Sequence, residues 1–116
     1  MRTMVTAVLL VLALSFQASA AEKFILFVNK ADVEIKQIRL AQAGTKQWGE
    51  NILTKYKLKP GEKIKISLPH DQGDCQWDLK YVVTDKWAYF INDIDICQAV
   101  EIDLFLKGKQ AWANIK

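Results

Sequence analysis

Residues 75–97 read CQWDLKYVVTDKWAYFINDIDIC, and this stretch decides the fold. Cys75, Trp77, Leu79, Tyr81 and Val83 recur with a period of two, which places five apolar side chains on one face of an extended segment. Thr84-Asp85-Lys86 interrupts the run, and Trp87, Tyr89 and Ile91 resume it, so the stretch reads as a β-hairpin with one buried face. If Thr84 pairs with Ala88 across a three-residue loop, Val83 faces Tyr89, Tyr81 faces Ile91, Trp77 faces Asp95, and Cys75 faces Cys97. Directly opposed residues have Cβ atoms about 4.5–5.5 Å apart, and a disulfide holds them at about 3.8 Å. A small adjustment therefore allows a Cys75–Cys97 bond, and a bulge within residues 92–96 would shift this register by one.

The same period runs outward from the hairpin. Ile64, Ile66 and Leu68 alternate with Lys63, Lys65 and Ser67 after Lys59-Pro60-Gly61-Glu62, the strongest turn in the chain. Val100, Ile102, Leu104 and Leu106 alternate before the tight turn Lys107-Gly108-Lys109, and Ala111 to Ile115 forms a last strand. Phe24 to Val28 is continuously apolar, as in a strand buried on both faces. Val33 and Ile35 alternate in one phase and Ile38 and Leu40 in the other, which suggests a bulge near Lys36-Gln37. Ala43-Gly44-Thr45 is a turn. Trp48 and Ile52 stand four apart, as on one helical turn packing inward. About seven to eight short strands with frequent turns predict an all-β, immunoglobulin-like Greek-key β-sandwich over residues 21–116, with a small antiparallel barrel as the alternative.

Residues 1–20 read as a secretory signal peptide: Arg2 is the positive start, Val5 to Phe16 is almost wholly apolar, and Ala18-Ser19-Ala20 offers small residues for cleavage. The apolar run is shorter than the roughly 20 residues that span a bilayer. Cleavage after Ala20 leaves 96 of the 116 residues, with no later apolar run long enough to anchor them. The expected location is therefore secreted or periplasmic. Two cysteines in a small exported domain fit a disulfide framework. With one histidine, His70, their spacing matches no zinc motif.

The strings Trp48-Gly49-Glu50-Asn51-Ile52-Leu53, Leu58-Lys59-Pro60-Gly61 and Cys75-Gln76-Trp77-Asp78, in that order and spacing, resemble a family of small exported bacterial β-sandwich domains of unknown function. That family shows W-G-x-x-x-L, L-x-P-G and C-x-W/Y-D motifs, and Ile91 to Cys97 resembles its closing cysteine segment. The resemblance covers most of the chain after residue 20 and implies structural roles for these residues, with no catalytic residue to carry over.

Chemistry narrows by subtraction. Ser67 and His70, three apart on an extended segment, point to opposite sides, and no nucleophile elbow or Gly-rich phosphate loop is present. A formal net charge of +3 is too small to imply nucleic acid. No cofactor motif is evident, and no catalytic residue is assigned. Asp71, Asp74 and Asp78 lie near Cys75, and Asp93 and Asp95 near Cys97, so one hairpin end is rich in oxygen. Calcium binds such sets, although aspartates also populate loops for their own backbone hydrogen bonds. Lys55, Lys57, Lys59, Lys63 and Lys65 alternate across the Pro-Gly turn and would form a basic ridge if both arms were strands. Such a ridge contacts anionic surfaces or protects a sheet edge from pairing. Trp48, Trp77 and Trp87 read as core, and Trp112, between Ala111 and Ala113, as exposed and able to stack on a ligand.

These features favour an exported, non-catalytic binding or interaction domain, of which an inhibitor or immunity-type protein is one version. The N-P-T-T-G-type loop of exported cysteine-peptidase inhibitors is absent. The alternative is a binder of envelope glycan or another anionic surface. A carboxylate-dependent enzyme ranks below both. The expected partner is thus a protein or an envelope polymer.

Overall fold

The computed structural model describes residues 22–69, 74–83 and 87–116. Residues 1–20, His70, Asp71 and the turn Thr84-Asp85-Lys86 lie outside them. Seven strands run in order: β1 (Glu22–Asn29), β2 (Gln37–Gln42), β3 (Lys63–Pro69), β4 (Gln76–Val82), β5 (Ala88–Asp95), β6 (Glu101–Lys107) and β7 (Gln110–Ile115). They form a four-stranded sheet of order β3-β1-β6-β7 and a three-stranded sheet of order β2-β4-β5. The described residues contain no helix, and the fold is all-β and sandwich-like.

Alternation explains which side of each sheet is core. Ile25, Phe27, Ile102 and Leu104 of the larger sheet and Ile38, Leu79, Tyr81 and Ile94 of the smaller one join a single buried cluster. Burying such side chains stabilises a fold by roughly 1.5–3 kcal/mol each. Phe24, in the other phase of β1, is 52% exposed, so the expectation of a strand buried on both faces fails at Phe24. β1 lies between β3 and β6, pairing antiparallel with β3 and parallel with β6.

The turns follow their residues. Glu62 N–H donates to Lys59 O at 2.9 Å, with Pro60 in the first central position and Gly61 at φ +83° in the second, a type II turn. β6 and β7 are joined through Gly108-Lys109, and Gly108 at φ +63° supplies the left-handed residue such a two-residue loop requires.

Four expectations are corrected. The β4–β5 hairpin exists, but Tyr81 faces Tyr89 and Leu79 faces Ile91. The register near the turn is therefore two residues away from the expected one, because the connection from Val82 to Ala88 is longer. A shift of two preserves the faces, which is why the same side chains still point inward. An extra β5 residue opposite Asp78 then moves the register by one, so Trp77 faces Ile94 and Gln76 faces Asp95. Ile96 N–H donates to Cys75 O at 2.8 Å, yet Cys75 and Cys97 are still bonded, with Cα atoms 5.2 Å apart.

Second, Trp48 to Leu53 is not a helical turn. Gly49 N–H donates to Leu40 O and Ile52 N–H to Ile38 O, so this segment runs along the free edge of β2. Asn51 fastens it: its Oδ1 accepts from Ile38 N–H and Leu53 N–H, and its Nδ2 donates to Thr54 O. Third, Trp87 is not core but 58% exposed. Fourth, the phase slip near Lys36-Gln37 is not a bulge within one strand, as expected, but a change of partner. Ile35 bridges Leu58, whereas Lys36 N–H donates to Val82 O and β2 begins beside β4.

Candidate functional site

Two carboxylates at the disulfide end, those of Asp78 and Asp95, serve the backbone. Asp78, buried on β4, accepts from Asp93 N–H at 2.9 Å and from Gly44 N–H at 3.0 Å, tying the β5 bulge to the turn after β2. Asp93 at φ +61° occupies the bulge itself. Asp95 Oδ1 accepts from Cys97 N–H and Gln98 N–H, and Asp74 accepts from Gln42 Nε2 at 3.0 Å. Among the described residues these aspartates do not converge into one oxygen cage. The one compact group of metal-ligand types is Cys75, Asp95 and Cys97, within 4.8 Å of one another, and its two sulfurs are joined to each other rather than present as thiolates. This end of the molecule is an anchor: Lys23 Nζ also donates to Cys97 O at 2.9 Å, linking β1 to it.

The lysines divide. Lys63 and Lys65 alternate on β3, an edge strand, with side chains exposed. Lys55, Lys57 and Lys59 are exposed but lie in turns and irregular chain, so only the second arm of the expected ridge is a strand. Ser67 is exposed on β3.

What the outer faces share is a ring with a cation above it. Lys65 Nζ lies 5.4 Å from the Phe24 centroid, Lys80 Nζ 5.2 Å from Trp48, and Lys109 Nζ 5.7 Å from Trp87. These distances are within the roughly 6 Å range of cation–π attraction. Trp112, 44% exposed, stacks on Phe105 with centroids 5.1 Å apart and planes 3° from parallel. That pair follows from the register, since Phe105 and Trp112 are directly opposed on β6 and β7.

The smaller sheet carries the densest such group. Arg39, Lys80 and Phe90 stand in one row across β2, β4 and β5. Trp48, brought in by the segment along β2, tilts onto Phe90 with centroids 5.7 Å apart. Arg39 is oriented by two bonds, Nε to Gln37 Oε1 at 3.2 Å and Nη1 to Gly49 O at 2.7 Å. Like charges directly opposed across a sheet repel, and among the described residues no carboxylate forms an ion pair with Arg39 or Lys80. Sequence reasoning missed this row. Under the expected register Lys80 would have faced Asn92, and Trp48 was assigned inward.

One cation of the larger sheet shows the contrasting arrangement. Asp103 is 2% exposed and meets Lys116 Nζ at 3.2 Å, while Lys116 also reaches Glu101 at 3.1 Å. Hydrogen bonds to these two carboxylates hold the Lys116 ammonium above the ordinary lysine pKa. Among the described residues no helix is long and apolar enough to cross a membrane. Compared with known proteins, the chain matches no family model, no curated protein and no solved structure.

Proposed function

We propose that residues 1–20 direct export and that the following domain binds, without catalysis, an anionic polymer of the cell envelope. The observation that carries this reading is the repeated lysine-over-ring pair at the surface, at Phe24, Trp48 and Trp87. The exposed part of each ring offers apolar surface to the C–H groups of a sugar, and the lysine over the ring offers its charge to an acidic group. The disulfide fits an oxidising compartment. The strand connections from β1 to β2, β2 to β3, β3 to β4 and β5 to β6 all change sheet, which supports a Greek-key, immunoglobulin-like reading. The parallel β1–β6 pair is where the fold departs from a purely antiparallel sandwich. The engagement of Asp78 and Asp95 by backbone N–H groups supports a binding role over a carboxylate-dependent reaction.

The test is retention of the purified protein on an acidic polysaccharide and on a neutral one of the same backbone. Retention on the acidic polymer alone, fading as salt rises, is the expected result, because charges in water are screened within about 8 Å at physiological ionic strength. Equal retention on both polymers, or turnover of a glycan, peptide or ester that disappears in Asp74→Asn or Asp95→Asn, would overturn the proposal.

A further inference from the structure

We infer that the outer row of the smaller sheet, Arg39–Lys80–Phe90 beneath Trp48, is a subsite for a carboxylated sugar ring, a hexuronate unit of an acidic polysaccharide. The inference rests on the binding function proposed above and locates it. Its first support is charge. Arg39 and Lys80 are held side by side by strand register, and among the described residues no acid neutralises them by ion pairing. Asp78, one row away from Lys80 on the same face, is already engaged by two backbone N–H groups, and Asp95 is engaged by the N–H groups of Cys97 and Gln98. A bound carboxylate would remove the repulsion between the two cations, so the ligand's charge has a specific energetic role here.

The second support is shape. Phe90 is 52% exposed and adjoins Lys80 across the strands, which gives an apolar ring beside the cation at the spacing of neighbouring strands. That spacing is about 4.8 Å, close to the width of a pyranose. A sugar ring lying against the exposed part of Phe90 would bring a carboxyl substituent toward Lys80, with Arg39 the next residue along the row. Trp48 forms the wall: it is half-buried, tilted 45° to Phe90, and its indole N–H donates to no acceptor among the described residues, leaving it able to donate to a sugar hydroxyl. The guanidinium is pre-oriented by Gln37 and Gly49, and its remaining N–H groups suit a planar carboxylate.

A lipid surface fits less well. A membrane anchor projects its tryptophan into the interface, whereas the Trp48 ring lies against Phe90 and Lys80. The two cations also sit within a sheet face beside their rings rather than on a protruding loop.

The experiment is an NMR titration of the purified protein with an oligogalacturonide, with the matching neutral galactose oligosaccharide, and with phosphatidylglycerol vesicles. Shifts that centre on Arg39, Lys80 and Phe90 for the uronate only are expected. Lys80→Met and Trp48→Ala should each weaken binding about tenfold, the scale of one desolvated cation or stacking contact. Trp48→Phe, which keeps a ring, should lose less, and Lys30→Met, at an exposed position just past β1 and outside every lysine-over-ring pair, should lose nothing. Uronate binding that survives Lys80→Met and Trp48→Ala overturns the subsite and leaves the anionic-polymer reading standing. Failure of the acidic oligosaccharide and the acidic polymer alike overturns both. Vesicle binding without uronate binding overturns the subsite in favour of a lipid surface.

Discussion

Tyr81 shows how much one residue can join. Its side chain is wholly buried, and its hydroxyl leaves the smaller sheet to donate to Phe105 O of the larger one at 2.6 Å. Burial first, and the neighbouring Tyr89 second, push its phenol above the ordinary value, which is about 10. The folded protein therefore resists losing this proton more than the unfolded chain does. Its contribution to stability is complete below about pH 10 and declines as pH rises toward the folded-state value. Tyr81→Phe should cost about 0.5–1.5 kcal/mol at neutral pH through the lost hydrogen bond. Urea midpoints measured at pH 9 and pH 11 should fall less in this variant than in the parent. Asp78 is the other residue with wide reach, and although it falls within the expected hairpin strand and the C-x-W/Y-D motif, neither names its partners. Only the fold reveals that it holds the bulge and the distant Gly44 turn together. Asp78→Ala should destabilise the protein by about 2–4 kcal/mol, as charge-assisted hydrogen bonds contribute about 1.5–3 kcal/mol each. Asp78→Asn, which keeps one acceptor oxygen, should recover part of that loss in the same denaturation assay.

The β4–β5 hairpin marks both the reach and the limit of sequence at the scale of elements. Its alternation identifies the inward residues Leu79, Tyr81 and Ile91, because period two dictates the face. It does not dictate the neighbour, since a slip of two leaves every face unchanged. For that reason the core was legible in large part while the row Arg39–Lys80–Phe90 was not. Trp87 misled because it shares the phase of Tyr89, yet it stands just before β5, its carbonyl still accepting from Val83 N–H, with its ring exposed. The segment from Trp48 to Leu53 was hidden because its partner is the edge of β2, a pairing made by backbone groups that any residue carries. The disulfide closes this hairpin across a sequence separation of 22. Cys75→Ala with Cys97→Ala should lower stability by about 2–5 kcal/mol, the usual loss for a native bridge in a small domain. Calorimetry of the double variant checks it, and an unchanged melting temperature would count against any stabilising role for the bridge.

For the whole molecule, alternation announces two packed sheets but does not reveal their strand order. β1 is flanked by β3 and β6, and neither assignment follows from hydrophobic pattern, which records burial and not which distant strand supplies it. Few of the cations are neutralised by ion pairs. Lys116 on the larger sheet is tied to Glu101 and Asp103, while Arg39 and Lys80 on the smaller sheet, and Lys63 and Lys65 on the larger one, form no such pairs among the described residues. The parallel β1–β6 pair also sets a timetable. Leu26 meets Glu101, 75 positions further along the chain, so the middle of the larger sheet closes only by bringing remote segments together. Such topology slows folding into the millisecond-to-second range. Stopped-flow refolding with the disulfide intact should fall in that range, and microsecond folding would contradict it. In a chain delivered N-terminus first, the earliest strand must wait, with one hydrogen-bonding edge open, until almost the last segment arrives.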